Sequence, residues 1–488
     1  MTAQSATLIL FGATGDLARR MLFPSLYNLM GDGLLPDDFL IVASGRTKMD
    51  DEAFRADVDA CLKKFIGTER YDGEAAAKLT SRIVYLPVET GNADQFAQIA
   101  ARVADRVDRG IAVYLSTPPS LFAPTAISLA EAGLVTPTTR IAMEKPIGKD
   151  FASSVEVNDA IGKLVDENRI FRVDHYLGKE TVQNLMALRF GNMLFEPLWN
   201  ANAIDHVQIT VGETVGLEGR VSYYDGVGAL RDMVQNHILQ ILSIIAMEPP
   251  ARFDATSVRD EKVKVLRSLR PMDGESVRTQ SVRGQYTPGA VQGQIVTGYA
   301  DELGKPSDTE TFVALKAHID NWRWHGVPFY LRTGKRMPSR QSEIMIQFKP
   351  VSHSIFSARG QASGLEPNAL IIRLQPEENI RLLIMAKQPG LDRDGVKLSE
   401  VGLDVALDHA FAGERRRIAY ERLLLDLLVG DPTLFVRRDE VEAQWQWIDS
   451  IIDGWKQSGM KAAPYASGNW GPSAAIALIE RDGASWHD

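Results

Sequence analysis

Thr7-Leu8-Ile9-Leu10-Phe11-Gly12-Ala13-Thr14-Gly15-Asp16-Leu17-Ala18 is the stretch whose reading decides the fold. A short β-branched and aliphatic run, Thr7–Phe11, passes directly into a glycine pattern of the form GxxGxxA and then into a helical stretch that lasts to Met30. Backbone N–H groups at such a strand-to-helix turn suit a pyrophosphate, because they point at the ligand and the helix start favours negative charge. Taken alone, Gly12 and Gly15 are equally the mark of a tight turn. Their position after the first strand of a βα series favours a dinucleotide site made by Gly12, Ala13, Thr14, Gly15, Asp16 and Leu17.

Outward from that turn, short aliphatic runs alternate with amphipathic ones. Thr7–Phe11, Phe39–Ala43, Arg82–Leu86, Ile111–Leu115, Arg140–Met143 and Arg169–Val173 read as strands. Strands separated by helices give the doubly wound α/β pattern, a Rossmann-like parallel sheet. One intervening helix is marked by Phe54, Val58, Cys61, Leu62 and Phe65, which lie along one helical face and place Cys61 in the core rather than in chemistry.

Three strand ends carry unusual residues, and ligands bind at the carboxyl ends of strands in open α/β sheets. The second strand ends Val42-Ala43-Ser44-Gly45-Arg46, with an arginine where NAD enzymes place an acid on the ribose 2′-hydroxyl. Arg46 suits a 2′-phosphate, so NADP is favoured and NAD stays open. Thr117-Pro118-Pro119 follows the fourth strand, where the prolines equally serve as turn punctuation. Glu144-Lys145-Pro146 follows the fifth; the proline restricts the Lys145 backbone, and a bond of this type can be cis, fixing where the ammonium points.

After the sixth strand comes Arg172-Val173-Asp174-His175-Tyr176-Leu177-Gly178-Lys179-Glu180, an acid, an imidazole, a phenol and an ammonium in one short segment. These groups emerge on the same sheet edge as the glycine turn and Lys145. Further on, Arg231-Asp232-Met233-Val234-Gln235-Asn236-His237-Ile238-Leu239-Gln240 continues to Met247 as an apolar helix. Met233 and Ile241 flank His237 at four residues on either side, which by itself reads as a core histidine. Beside an acid that fixes its tautomer, the same imidazole can act as a general base near neutral pH.

The chain of 488 residues is 45% hydrophobic, enough for two domains with sizeable cores. Its net charge of −9 gives no basic footprint for nucleic acid or an anionic membrane surface, so an anionic ligand needs a local cationic pocket. Cys61 is the lone cysteine, which excludes an intramolecular disulfide framework, and no Cys/His cluster reads as a zinc site. No apolar run is long enough to span a bilayer, and the expected location is cytoplasmic.

Beyond residue 175 the βα alternation stops. Ile204–Glu213, Gly293–Tyr299, Thr311–Ala317, Phe329–Arg332, Glu343–Phe348, Ala369–Leu374 and Ile380–Ala386 read as strands joined by turns, which predicts a mostly antiparallel sheet in an α+β domain. Asp232–Met247 and Arg415–Leu428 read as helices covering one face, leaving the other for a partner. The loop from Arg259 to Thr287 and the tail after Gly459 read as irregular.

Gly12–Ala18, Glu144–Gly148, Arg172–Glu180, Arg231–Gln240 and Arg332–Lys335, in this order and spacing, resemble the glucose-6-phosphate dehydrogenase family of the bacterial type, and the resemblance extends to Tyr420–Asp426 and Phe435–Arg438. Its most specific motif is Asp174–Glu180. The resemblance implies an NADP-binding Rossmann-like domain over 1–174 and an α+β substrate-binding and dimerisation domain over 175–488. It implies oxidation of D-glucose 6-phosphate to 6-phospho-D-glucono-1,5-lactone, the first step of the oxidative pentose phosphate pathway, without metal, by a homodimer or homotetramer. His237 matches the family's base and Asp174 the carboxylate that orients it. His175, Tyr176 and Lys179 match the phosphate site. Lys145, Glu213, Asp232, Lys335 and Gln375, with Arg340 a weaker match, resemble the sugar-ring contacts. Two positions depart from the pattern: Met21, after Arg19 and Arg20, stands where many members carry a lysine, and Ile147 where many carry phenylalanine.

Overall fold

Thr7–Phe11 is buried at every position, as a central parallel strand covered on both faces must be. The computed structural model describes residues 4–217, 224–356, 365–391, 396–406, 411 and 413–488. These form two compact units.

The first unit comprises residues 1–183, 250–263 and 416–445. Its sheet contains β1 (Thr7–Phe11), β2 (Leu40–Gly45), β3 (Ile83–Pro87), β4 (Ile111–Leu115), β5 (Arg140–Met143) and β6 (Ile170–Arg172). All neighbours are parallel, in the order β3-β2-β1-β4-β5-β6. This is the doubly wound order, with its switch point between β1 and β4. The helix expected around Phe54 spans Asp51–Ile66, capped by the Asp50 carboxylate on the Ala53 N–H, and it buries Phe54, Val58 and Leu62. Cys61 lies at the margin of that stripe, partly buried.

Residues far along the chain return to this unit because buried polar groups demand partners. The Arg140 guanidinium donates to the Leu428 carbonyl and to Ser5 Oγ. Arg172, 1% exposed, pairs with Glu167 and donates to the Val436 carbonyl. The buried Lys262 and Glu440 form an ion pair of 2.8 Å.

The second unit comprises residues 184–249, 264–415 and 446–488. Its strands are β7 (Ile204–Gly212), β8 (Ser281–Thr287), β9 (Gly289–Val291), β10 (Gln294–Val296), β11 (Phe312–His318), β12 (Pro328–Gly334), β13 (Gln341–Phe348), β14 (Ala369–Gln375), β15 (Asn379–Lys387), β16 (Leu398–Ala406) and β17 (Ala463–Ala466). Apart from the β9–β10 hairpin they form one sheet, β16-β15-β14-β13-β7-β12-β11-β8-β17. β12 runs parallel to β7 and β17 parallel to β8; the other neighbours are antiparallel.

Two stretches expected to be irregular are structured. Arg259–Thr287 contains most of helix Ala255–Arg267, helix Ser276–Gln280 and all of β8, and the tail after Gly459 contains β17 and helix Ser473–Glu480. The strand expected at Gly293–Tyr299 is shorter, because Tyr299 starts a helix that ends at Leu303. The helix expected over Asp232–Met247 begins as a π-helix, Leu230–Ile238, and continues as the α-helix Leu239–Ala246.

Candidate active site

In the first unit the predicted residues gather along the carboxyl edge of the parallel sheet. Gly12 has φ +79°, and a Cβ there would lie 2.1 Å from the Ser116 carbonyl oxygen, so the turn that ends β1 admits glycine alone. The Ala13 N–H donates to the Ser44 carbonyl at 2.9 Å and the Gly15 N–H to the Gly12 carbonyl at 2.9 Å, which fixes the turn against β2. Two hydroxyls near it, Ser44 Oγ at the end of β2 and Thr117 Oγ1 after β4, are buried without a hydrogen-bond partner. Buried hydroxyls are rarely left so, and these two come from the strands on either side of β1, where a bound nucleotide lies in this topology. The residues present therefore fit a dinucleotide. Arg46 is exposed immediately after β2. Asp16 is ion-paired with Arg20 and Arg19 with Asp57, so both arginines beside Met21 are already engaged.

Lys145 follows β5, and its bond to Pro146 is cis. Ile147 is buried, and the Trp445 indole donates to its carbonyl at 2.8 Å. Asp174 is 3% exposed and turns the chain after β6: its Oδ1 accepts the Tyr176 N–H at 2.9 Å. Lys179 places its ammonium 3.4 Å from the centre of the buried Tyr176 ring, a cation–π seat that leaves it half-buried. His175 stacks on Tyr420, with ring centres 6.1 Å apart. Gly178 is packed so closely on the Ala419 carbonyl and Leu423 that a Cβ would lie 2.6 Å from the former.

Behind this edge lies a group that sequence reading left out. The buried Glu144 carboxyl accepts from the Tyr114 phenol at 2.5 Å and from Tyr420. Burial pushes Glu144 up to about 7, against the two phenol hydrogen bonds and the Lys145 charge.

In the second unit, pairing register collects the predicted ring contacts. Gly212 at the end of β7 faces Gly334 at the end of β12 on one side and Gln341 at the start of β13 on the other, while Ser342 faces Gln375 at the end of β14. Glu213, Lys335, Arg340 and Gln375 thus lie at one end of four neighbouring strands. Lys335 and Glu213 form an ion pair of 2.7 Å, and the Lys335 ammonium sits 5.1 Å from the centre of the Tyr224 ring. Burial, then the charges of Asp232, Glu310 and Glu213, push the Tyr224 phenol well above its usual value, which puts Asp232 in the same neighbourhood. Tyr224, to which no motif pointed, lies among these predicted residues. Arg340 is exposed, and Gln375 is half-buried.

His237 is 1% exposed in the π-helix. At 3.6 residues per turn, positions 232 and 237 would diverge by roughly 140°. The wider π winding, about 4.4 residues per turn, cuts that to roughly 50°. Asp232 and His237 therefore share a face, and Met233, four residues before His237, stays on it at roughly 30° from His237.

A doubly wound sheet built to take a dinucleotide at its switch point, joined in one chain to a second unit with acid, ammonium and imidazole groups at hand, is the plan of a nucleotide-dependent oxidoreductase. Comparison with known proteins narrows the class. Residues 9–184 match the family model "Glucose-6-phosphate dehydrogenase, NAD binding domain", and residues 186–487 match "Glucose-6-phosphate dehydrogenase, C-terminal domain". The glucose-6-phosphate 1-dehydrogenase of Zymomonas mobilis is 58% identical over all of both chains. That of Rhizobium meliloti is 50% identical over 98% of this chain and 97% of its own. A solved glucose-6-phosphate dehydrogenase in complex with its substrate glucose-6-phosphate superposes with a TM-score of 0.90 at 33% identity, covering all of both chains. The chain belongs to the glucose-6-phosphate dehydrogenase family.

Proposed function

We propose that this protein oxidises D-glucose 6-phosphate at C1 to 6-phospho-D-glucono-1,5-lactone, as an NADP-dependent enzyme of the oxidative pentose phosphate pathway. The observation that supports it most is the full-length family match in a chain that retains Asp174, His175, Lys179, Asp232 and His237.

The nicotinamide, when bound, accepts the C1 hydride. His237 takes the proton of the C1 hydroxyl, and Asp174 orients the imidazole and stabilises the imidazolium that results. His175, Tyr176 and Lys179 hold the 6-phosphate, with Lys179 placed by its seat on the Tyr176 ring. Lys145, Glu213, Asp232, Lys335, Arg340 and Gln375 orient the sugar hydroxyls. Gly12, Ala13, Thr14, Gly15, Asp16, Leu17 and Lys145 hold the nucleotide, and Arg46 meets its 2′-phosphate. The nucleotide role falls to residues 1–174, and substrate binding and dimerisation to 175–488. We place the enzyme in the cytoplasm, in keeping with Cys61 being its lone cysteine. Among the described residues no helix is long and apolar enough to cross a membrane.

A homodimer or homotetramer is the expected assembly. Val401, Leu403 and Val405 alternate along β16 with their side chains exposed, the pattern of a strand face that takes a partner. Light scattering that returned a monomer at all concentrations would remove this part of the reading.

The decisive assay is absorbance of reduced nicotinamide with glucose 6-phosphate or glucose, each paired with NADP or NAD. Phosphate-dependent reduction is expected. Nucleotide binding without turnover on any pairing would favour a nucleotide-sensing role. Arg46→Ala should raise the KM for NADP by about tenfold, the loss of one charge-assisted contact, and leave that for NAD within a factor of two. Lys179→Ala should raise the KM for glucose 6-phosphate by about 10–100-fold with little change in kcat, because a contact remote from C1 contributes uniform binding. A loss confined to kcat would remove Lys179 from the phosphate site.

A further inference from the structure

Glu144 occupies a position where a carboxyl is expensive. It is buried at the end of β5, beside the residue assigned to sugar and nucleotide, and burying a carboxylate costs several kcal/mol unless hydrogen bonds compensate. An apolar residue would fill the same volume more cheaply. Its backbone is fixed, with the Glu144 N–H donating to the Leu115 carbonyl at 3.2 Å. Its side chain is fixed from two directions, by Tyr114 on β4 and Tyr420 on helix Ala419–Val429. Both phenols are pushed upward, chiefly by burial, and remain donors through the physiological range.

Each partner leads to a substrate-facing group. Lys145 is the next residue in the chain, and its charge acts on Glu144. The Tyr420 ring is the surface on which His175 stacks, 13° from parallel, and it lies within the field of Asp174. The helix that carries Tyr420 also seats the Asp174–Lys179 turn, through the close packing of Gly178 on Ala419 and Leu423.

We propose that Glu144 is a positioning residue for the sugar phosphate: its carboxyl, held between the Tyr114 and Tyr420 phenols, sets the direction of Lys145 and the seat of the His175 ring as one coupled arrangement. The inference rests on the reading of Lys145 and His175 as substrate contacts. A carboxylate accepts both phenols at once. A protonated carboxyl, or the amide of glutamine, must place a hydrogen among the same three groups, and one phenol has to turn. Tyr114, Tyr420 and Lys145 act on Glu144 directly, and Asp174 acts through Tyr420.

The test compares Glu144→Gln, Tyr420→Phe, the double variant and His175→Ala, each checked for an unchanged thermal transition before kinetics with glucose 6-phosphate at saturating NADP. Glu144→Gln and Tyr420→Phe should each raise the KM for glucose 6-phosphate by about tenfold, with kcat within about threefold, and the double variant should add nothing further. The dependence of KM on pH around 7 should flatten in Glu144→Gln relative to the parent. Should Glu144→Gln fail to fold, Tyr420→Phe carries the test, since it keeps the ring under His175 and removes only the hydroxyl. If His175→Ala raises KM while folded Glu144→Gln and Tyr420→Phe leave it unaltered, the proposal is overturned and the substrate site stands. If His175→Ala itself leaves KM unaltered, the underlying site assignment fails instead. Strictly additive effects, or a loss in kcat alone, also overturn it.

Discussion

His237→Ala should lower kcat by about two to four orders of magnitude, the usual worth of a positioned general base. Substrate should still bind, because His237 is assigned no contact with the 6-phosphate. The variant leaves a cavity in a helix that is buried at His237, Ile238 and Leu239, so its fold must be verified by thermal unfolding. His237→Gln, closer in volume, should show the same kinetic loss. Asp174→Asn should follow with a smaller loss in kcat, because it removes the charge that stabilises the imidazolium while the base remains. Turnover that survived His237→Ala in a folded protein would sink the mechanism, and would direct attention to the acids of the second unit, Asp232 and Glu213.

Gly12→Ala should cost the enzyme its nucleotide. The left-handed backbone alone costs about 1–2 kcal/mol for an alanine. The added Cβ would also stand 2.1 Å from the Ser116 carbonyl oxygen, so β1 and the end of β4 must move apart at the point where the dinucleotide turn forms. Together these predict NADP binding weaker by roughly 100-fold, equivalent to about 3 kcal/mol, with a lowered Tm. Titration of NADPH fluorescence measures the first and a thermal scan the second. Gly15→Ala is the comparison: its Cβ would lie 3.0 Å from the Gly12 carbonyl oxygen, a tight contact with less to displace, and its effect should be smaller. Equal binding by Gly12→Ala and the parent protein would mean that the turn does not hold the nucleotide.

The first unit's strands were legible because strands buried on both faces read as uninterrupted apolar runs, and β1, β4 and β5 occur with the bounds expected of them. In the second unit, β8 (Ser-Val-Arg-Gly-Gln-Tyr-Thr) and β16 (Leu-Ser-Glu-Val-Gly-Leu-Asp-Val-Ala) were not found. In β8 the apolar residues Val282 and Tyr286 stand four positions apart, and in β16 Leu398, Val401, Leu403 and Val405 come at every second or third position among charges and a glycine, a weaker signal than a continuous run. Asp174, His175, Lys179 and His237 could be picked out because each belongs to a motif of unusual composition. Tyr114, in an apolar strand, reads as core, and Tyr224 and Tyr420, beside Asp225 and Glu421, gave no sign of a role in their local pattern.

By itself the sequence determined the doubly wound unit, the glycine turn and the family, all of which depend on local pattern and spacing. Only the tertiary structure decided which distant segments complete the first unit. Residues 250–263 and 416–445 belong to it, where the buried Arg140 donates to the Leu428 carbonyl, Arg172 to the Val436 carbonyl as well as to its neighbour Glu167, and Lys262 pairs with Glu440. It also decided the winding of Leu230–Ile238. Periodicity assumes an α-helix, and the π form that brings Asp232 beside His237 is less stable in isolation. Such a winding persists only where packing around it outweighs local preference, and packing is a property of the whole fold rather than of any window of the chain.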